Sequence, residues 1–401
     1  MNSVPNIITN IPGPNAIRLM EEDKQYGSPT NTRQFPLFIK KANGVTIQDV
    51  DNNIFLDFVA AIAVCTAGHC YPDIVKAIHE TSLQFTHFSA VDFYHPPQVV
   101  LAKKLCKIAP WDKERRVFYA SSGTEAVEDA LKLARYKTKR PHFISFLGAF
   151  HERTFGALSI SGSKALHRKY FSPLLQRVAH IPFGYCYRCP YNLELKSCDL
   201  AFIYFLENTI FKMIVPPEEV AAIIVEPIQC ESGYVIPPPG FHSELKKIAE
   251  KYGILLIVDE IQTGSGRTGK MFCIEHCEVI PDMIVLAKGI ASGMPLVAMI
   301  ADKDLMIWEP GAHATTFGGN PISCEAAIAT IRLLEDSLIE NAKQMGAYIL
   351  DELQGIGKKH RIVRECGRNV IRFFPPLIIE KSHVDKAVEI FDVALSEVDR
   401  K

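Results

Sequence analysis

Asp259 and Lys288 each follow a short apolar run in the second half of the chain, where two strands would end. A carboxylate at the end of a buried strand needs a cationic partner, or it takes up a proton. A protonated ring nitrogen of a cofactor would be such a partner, and a lysine amine nearby can act as a nucleophile. For an isolated pair, the alternative is a structural salt bridge at Asp259 and a solvated lysine at position 288.

Residues 121–125, Ser-Ser-Gly-Thr-Glu, lie between a predicted strand and a predicted helix. Gly123 permits a tight turn, and the free backbone N–H groups at the start of the helix would form an anion site. The pattern matches neither the Walker motif nor the dinucleotide fingerprint. It therefore indicates a phosphate site, with ordinary strand-to-helix turn chemistry as the alternative.

Short apolar runs that alternate with amphipathic helical stretches would position these residues. The runs cover residues 116–120, 142–146, 221–225, 254–258 and 283–287. Such alternation predicts an α/β fold with a mostly parallel sheet covered by helices. In open sheets of this kind ligands bind past the carboxyl ends of the strands, which is where the polar residues cluster. Polar residues also end strands because loops are solvated, but several with complementary chemistry indicate a site.

The length of 401 residues favours a large domain and a smaller one. We assign residues 61–320 to the large, cofactor-binding domain. Residues 321–401 would form the smaller domain, together with the N-terminal segment 1–60. Within the smaller domain, helical periodicity covers residues 324–334, 340–353 and 384–398, and a short strand is predicted over residues 369–373.

Charge and composition argue against several classes of partner. The chain has 44 basic and 45 acidic residues without a block of like charge, so we expect neither nucleic acid nor an anionic membrane. No apolar stretch approaches the roughly 18 residues of a membrane span, and the polar N-terminus does not resemble a secretory signal. The odd count of 11 cysteines indicates reduced thiols and therefore a cytoplasmic protein.

Cys186, Cys189 and Cys198 lie in a stretch that is typical of a loop. A CxxC pair with a third cysteine, joined by His180, is an alternative zinc site, but a fourth ligand at standard spacing is missing. We therefore interpret the stretch as a surface loop with free thiols and expect no metal.

Four short motifs resemble the class III aminotransferases of the ornithine and 4-aminobutyrate type. They are Val-Asp-Glu-Ile-Gln-Thr-Gly at 258–264, Arg-Thr-Gly at 267–269, Leu-Ala-Lys-Gly at 286–289 and Gly-Met-Pro-Leu at 293–296. The resemblance extends from about residue 12 to about residue 377, and it includes similarity to archaeal 4-aminobutyrate aminotransferases. It implies a pyridoxal 5'-phosphate (PLP)-dependent transferase of fold type I, and a homodimer with shared active sites.

The resemblance also implies which residues bind the cofactor. Lys288 would be the Schiff-base lysine, and Asp259 would pair with the pyridine nitrogen. The other assignments are Gln262 for the phenolic oxygen, Phe150 for stacking on the ring with His151 beside it, Gly123 and Thr124 for the phosphate, and Thr316 for the phosphate of the neighbouring subunit.

By the same resemblance, Arg372 would bind an α-carboxylate, and Glu231 would hide Arg372 when the substrate has none. Arg153 matches the arginine that binds the distal carboxylate in 4-aminobutyrate enzymes. Ile62 matches their isoleucine, where the ornithine enzymes have a tyrosine, and Glu226 is assigned to the same substrate site. Arginine is suited to bind carboxylates bidentately. The resemblance thus implies amino transfer from 4-aminobutyrate to 2-oxoglutarate, with ping-pong kinetics.

Four other functions compete with this one. An amino-acid racemase of the same fold would need proton delivery on both faces of the substrate carbanion, and transamination of ornithine or acetylornithine is the next alternative. A catalytically silent scaffold would not need Lys288, Asp259 and Gln262 together with the two arginines. A nicotinamide dehydrogenase is disfavoured, because no glycine-rich dinucleotide turn follows any predicted strand.

The chain departs from the family pattern at two places. Glu152 stands where the family usually has glycine, so we expect a strained turn and a carboxylate that competes with substrate. Residues 355–367 replace a segment that is several tens of residues longer in the family, so we expect a smaller small domain.

Overall fold

The computed structural model describes residues 4–360 and 371–399. Its strands are β1 (Ile39–Asn43), β2 (Thr46–Asp49), β3 (Ile54–Leu56), β4 (Arg115–Ala120), β5 (His142–Phe146), β6 (Val178–Ile181), β7 (Val220–Val225), β8 (Leu255–Asp259), β9 (Met283–Leu286) and β10 (Val297–Asp302). Its helices are α1 (Pro14–Tyr26), α2 (Ala60–Ala63), α3 (Pro72–Ser82), α4 (Pro96–Ile108), α5 (Gly123–Thr138), α6 (Phe155–Ile160), α7 (Ala165–Arg168), α8 (Ala201–Phe205), α9 (Phe211–Met213), α10 (Phe241–Tyr252), α11 (Pro321–Leu333), α12 (Ile339–Lys359) and α13 (Lys381–Asp399).

Seven strands form the central sheet in the order β4-β10-β9-β8-β7-β5-β6. All neighbouring pairs from β9 to β6 are parallel, and β10 runs antiparallel to both β4 and β9. The structure therefore confirms the α/β fold and the mostly parallel sheet. The five strands predicted for this sheet are present, with ends shifted by at most one residue. Its strands β6 and β10 were not predicted.

Helices cover both faces of this sheet. The side chains of its strands alternate between two hydrophobic clusters, one on each face. In β7, Ile223 and Val225 point to the face covered by α4, α10 and α11. Ala222 and Ile224 point to the other face, where α5 packs with Ala126 and Val127. Strands buried on both faces explain the continuous apolar runs in the sequence.

The smaller sheet, β1-β2-β3, is antiparallel and packs against the C-terminal part of the chain. Val45 shares a small hydrophobic cluster with Ile379 and Val384. The three predicted helices after residue 320 correspond to α11, α12 and α13. Part of the predicted strand at 369–373 lies outside the described residues, and the described residues 371–373 belong to no strand. The short segment 355–367 is described only to residue 360, where α12 has ended, and the domain boundaries stay predictions.

None of the helices in the described ranges is both long enough and apolar enough to cross a membrane.

Candidate active site

Asp259 and Lys288 come together because their strands are neighbours in the sheet. β8 ends at Asp259, and it pairs in parallel with β9, which leads into Lys288. Both side chains line a small cavity at the carboxyl edge of the sheet, together with Phe150 and Gln262. Asp259 is buried, whereas the Lys288 side chain keeps some access to solvent.

His151 lies behind Asp259 rather than at the cavity surface. Its side chain is completely buried, and its Nδ1 lies 2.7 Å from Oδ2 of Asp259. Burial disfavours the charged imidazole, but the hydrogen bond and charge of Asp259 prevail and raise the pKa of His151. The other oxygen, Oδ1, accepts the backbone N–H of Ile261 at 3.0 Å. His151 therefore orients the carboxylate of Asp259, and any effect on the cofactor ring passes through that carboxylate.

The proposed phosphate site lies at the start of α5. Gly123 is the first residue of the helix, after Ser122 as the N-cap. The hydroxyl of Thr124 lies 2.6 Å from that of Thr154, which ties the start of α5 to the loop that follows Arg153. A helix of this length presents free backbone N–H groups at its first turn, and these favour an anion.

Glu226 connects two loops instead of facing the cavity freely. It is buried, and its Oε1 accepts the backbone N–H of Phe150 at 2.9 Å. Its Oε2 accepts the backbone N–H of Cys230 at 3.2 Å. Burial raises the pKa of this carboxyl to about 7. Both oxygens are thus engaged with the backbone, and the contacts favour a role in positioning Phe150 over the direct substrate contact that we inferred from the sequence.

Gln262 is oriented by a residue that the sequence analysis missed. Its side-chain amide donates a hydrogen bond of 3.1 Å to the hydroxyl of Tyr234. Burial raises the pKa of Tyr234 well above its usual range, so the phenol stays neutral. Its ring packs against Phe374 at 5.4 Å between centroids, which brings the C-terminal part of the chain to the cavity. No local pattern marks Tyr234, because its partners are distant in sequence.

Glu231 is shared between two cations. Nη1 of Arg372 lies 3.3 Å from its Oε2, and Nζ of Lys164 contacts its Oε1. Burial alone would raise the pKa of Glu231, but Lys164 and Arg372 together lower it, so the carboxylate is ionised at neutral pH. The predicted pair of Glu231 and Arg372 is therefore formed, whereas its third member, Lys164, was missed.

Arg153 lies at the edge of the cavity beside Phe150. Its guanidinium is 5.6 Å from the centroid of the Phe150 ring, and Nη2 lies 3.2 Å from Nε2 of His167. Arg153 is exposed in the single chain and makes no ion pair with a described residue. Its guanidinium is therefore available to a carboxylate ligand.

Ile62 lies in a short left-handed turn, and Thr316 lies away from the cavity of its own chain. The four residues from Ala60 to Ala63 all have positive φ, with 64° at Ile62. L-residues in this region cost about 1–2 kcal/mol each, and such strain is often found at functional sites. Ile62 is 57% exposed. The carbonyl of Thr316 lies 2.9 Å from Nε2 of His87, in an exposed loop.

The cysteines considered as zinc ligands do not form a metal site in the part of the chain that the structure describes, where no three histidine, cysteine or acidic side chains are arranged to bind a metal. Cys186 and Cys189 are partly buried, and Cys198 is buried.

The side chains around the cavity fit pyridoxal phosphate. Lys288 offers an amine for an aldehyde, and the buried Asp259 suits a cationic ring nitrogen. Phe150 offers an aromatic face for a planar ring. The start of α5 offers donors for a phosphate. Gly123 has no side chain there, and a β-carbon would lie only 2.9 Å from Oε1 of Glu152.

Comparisons with known proteins agree with this chemistry. The family model of class III aminotransferases matches residues 27–365. The chain is 35% identical to the alanine/serine racemase of Pyrococcus horikoshii, over 98% of this chain and 93% of the relative. It is 38% identical to the acetylornithine aminotransferase of Archaeoglobus fulgidus, over 92% and 98% of the two chains.

A similar solved structure is the PLP-bound amine transaminase from an uncultivated Pseudomonas species. It superposes with a TM-score of 0.83 and 25% identity, over 93% of this chain and 97% of the other. Family match, fold and site chemistry agree. The chain therefore belongs to the class III aminotransferase family, and it is an enzyme that uses pyridoxal phosphate.

Proposed function

We propose that this enzyme transfers the amino group of 4-aminobutyrate to 2-oxoglutarate. The observation that carries the proposal is the pair of Arg372 and Glu231 at 3.3 Å, near a cavity with the uncommitted Arg153 at its edge. 4-Aminobutyrate has one carboxylate, distal to its amino group, and 2-oxoglutarate has two. An enzyme that serves both needs one permanent cationic site and a second that can be hidden.

Arg153 supplies the permanent site in this proposal, because it makes no ion pair with a described residue. Arg372 supplies the second. While Glu231 holds its guanidinium, the site is neutralised and suits the end of 4-aminobutyrate that bears the amino group and no carboxylate. When Glu231 turns fully to Lys164, Arg372 is free to bind the α-carboxylate of 2-oxoglutarate or glutamate bidentately.

The chemistry of the site follows from the residues around the cavity. The cofactor, when bound, supplies an electron sink for the substrate carbanion. Nζ of Lys288 takes the proton from the carbon that bears the amino group. Asp259, held by His151, would keep the ring nitrogen protonated, and Phe150 would stack on the ring. Gln262 and the start of α5 hold the phenolic oxygen and the phosphate.

A racemase is the second candidate, and two observations favour it. The Pyrococcus horikoshii relative is named an alanine/serine racemase. Racemisation needs a second acid–base group besides the lysine, and the carboxyl of Glu152 lines the same cavity. Acetylornithine is a third candidate substrate, on the name of the Archaeoglobus fulgidus relative.

One experiment separates these candidates. Purified enzyme is incubated with 2-oxoglutarate and 4-aminobutyrate, acetylornithine, ornithine or alanine in turn, and glutamate formation is measured. We expect the highest kcat/KM with 4-aminobutyrate. Faster glutamate formation with acetylornithine or ornithine would contradict the proposed donor. Loss of optical rotation in L-alanine without any keto acid would favour the racemase.

We also propose a cytoplasmic homodimer. The cysteines of the described residues are all free, which supports a reducing compartment. Exposed aromatic side chains lie next to the loop of Thr316, and large exposed apolar patches are typical of interfaces. They are Phe88, Phe93, Tyr94 and Phe317, with 46%, 59%, 99% and 63% exposure. Sedimentation equilibrium should give twice the chain mass of 44.8 kDa, and a monomer would contradict the proposal.

A further inference from the structure

Glu152 places a carboxylate in the lining of the cavity, beside the start of α5 where we assign the phosphate. It has a φ of +82°, in the left-handed region that favours glycine. This agrees with the strain expected from a non-glycine residue at this position. The side chain is only 27% exposed and points into the cavity, where Oε1 lies 3.9 Å from Nζ of Lys288.

The same oxygen rests against the first residue of α5. A β-carbon built on Gly123 would lie 2.9 Å from Oε1 and 3.4 Å from Cδ of Glu152. The carboxylate therefore occupies the space beside the first residue of α5, where we assign the phosphate. Glu152 thus lies between the two groups that would hold the aldehyde and phosphate ends of the cofactor.

The groups that face Glu152 set when its carboxyl is ionised. Burial raises the pKa of Glu152 above its ordinary 4.5. Lys288 opposes this shift, Asp259 adds to it, and Arg153 and His151 oppose it more weakly.

On α5, the nearby Glu125 is engaged elsewhere. Its Oε2 accepts the backbone N–H of Ser121 at 3.0 Å and the hydroxyl of Ser122 at 2.9 Å. Lys288 is therefore the cation that forms an ion pair with Glu152 among the described residues.

We propose that the Glu152 carboxylate is an internal anion that competes with the phosphate of pyridoxal phosphate for the start of α5. A carboxylate and a phosphate dianion repel each other at this distance, so the two cannot share the site without a cost. The competition acts when Glu152 is ionised and disappears when it is protonated. This inference rests on the assignment of Gly123 and Thr124 to the phosphate.

The sign of the pH dependence follows. Because the pKa of Glu152 is raised, its carboxyl stays protonated to a higher pH than an ordinary glutamate. Competition is therefore weak near the ordinary glutamate range, and it grows as the pH rises through the raised pKa. Cofactor affinity of the wild type should fall, relative to a variant without the carboxylate, as the pH increases.

The experiment measures cofactor binding instead of turnover. Full-length protein is freed of cofactor by dialysis, and the Kd of pyridoxal phosphate is obtained from quenching of tryptophan fluorescence between about pH 5 and about pH 8.5. Wild type is compared with Glu152→Gln, which keeps the side-chain size, and with Glu152→Gly, which also relieves the backbone. Glu207→Gln, which breaks the exposed pair with Lys251, is the matched control.

We expect both Glu152 variants to bind pyridoxal phosphate about tenfold more tightly near pH 8, with the difference shrinking toward pH 5. The affinity for pyridoxal, which lacks the phosphate, should increase much less in the same variants. Equal Kd values for wild type and both variants over the whole range would overturn the proposal, and so would an equal gain for pyridoxal.

A separate variant tests the phosphate assignment itself. Thr124→Ala should weaken binding of pyridoxal phosphate and leave pyridoxal unchanged. If Thr124→Ala has no effect on either compound, the assignment of the phosphate site is wrong. If it has the expected effect and the Glu152 variants do not, only the competition is wrong.

Discussion

His151 and Asp259 form a fully buried pair, with 2.7 Å between Nδ1 and Oδ2, directly behind the cavity. Breaking a buried pair from one side leaves an unpaired charge, which costs about 3 kcal/mol. We expect His151→Ala to lose about this much stability in urea unfolding, and to weaken pyridoxal phosphate binding because Asp259 is no longer held. His242→Ala, at a buried histidine bonded to the carbonyl of Pro227, should lose stability but keep cofactor affinity.

The pH dependence of this pair has a definite sign. The pKa of His151 is raised in the folded state from its ordinary 6.5. The stabilisation by the charged imidazole is therefore complete below pH 6.5 and is lost as the pH rises through the higher folded value. The stability difference between wild type and His151→Ala should be larger at pH 6 than at pH 9. A difference that grows with pH would contradict the charged pair.

Arg153 should act on substrates with a distal carboxylate. Removing an arginine that binds a carboxylate bidentately should raise the KM for 4-aminobutyrate by at least about tenfold in Arg153→Ala. The KM for an amine donor of similar length without a carboxylate should change by less than about twofold. Arg188→Ala is the matched control. The guanidinium of Arg188 lies 5.6 Å from the ring centroid of Tyr187, the same distance that separates Arg153 from Phe150. Equal effects on both donors would make Arg153 merely structural.

Lys164 and Arg372 compete for Glu231, so removing one should strengthen the other pair. In Lys164→Met, Glu231 has only Arg372 as a partner, and Arg372 becomes less available to an α-carboxylate. A partly exposed ion pair contributes up to about 1 kcal/mol, so the KM for 2-oxoglutarate should rise about two- to fivefold.

Glu231→Gln provides the opposite test, because it frees Arg372. Its KM for 2-oxoglutarate should fall while that for 4-aminobutyrate rises. Lys169→Met, at an exposed lysine beside Tyr170, should change neither constant. KM shifts of the same sign in Lys164→Met and Glu231→Gln would refute the exchange of partners.

The left-handed turn should store measurable strain. Ala61 has φ 52° and ψ 43°, which glycine adopts without the penalty of a β-carbon. We expect Ala61→Gly to stabilise the protein by up to about 1 kcal/mol in urea unfolding. The same change at Ala77 in the right-handed helix α3 should destabilise it by about as much. Destabilisation by both substitutions would show that the turn is not strained.

Most of the sheet could be predicted because buried parallel strands are continuous apolar runs with polar residues at their carboxyl ends. β10 was missed because it runs antiparallel to its neighbours, so its carboxyl end lies at the opposite edge of the sheet and carries none of the site residues. The left-handed turn was missed because alanine gives no signal of positive φ. Lys164 and Tyr234 were missed for a third reason: their contacts join residues far apart in sequence, and no local spacing encodes them.

The antiparallel strand β10 also sets the distance between the start of α5 and Lys288. It lies between β4, which leads to the start of α5, and β9, which leads to Lys288. Neighbouring strands are about 4.8 Å apart, so the backbones that carry these two groups are separated by roughly 10 Å at the sheet edge. A ligand that binds both groups must therefore span two inter-strand distances. A shorter aldehyde would reach either Lys288 or the start of α5, but not both.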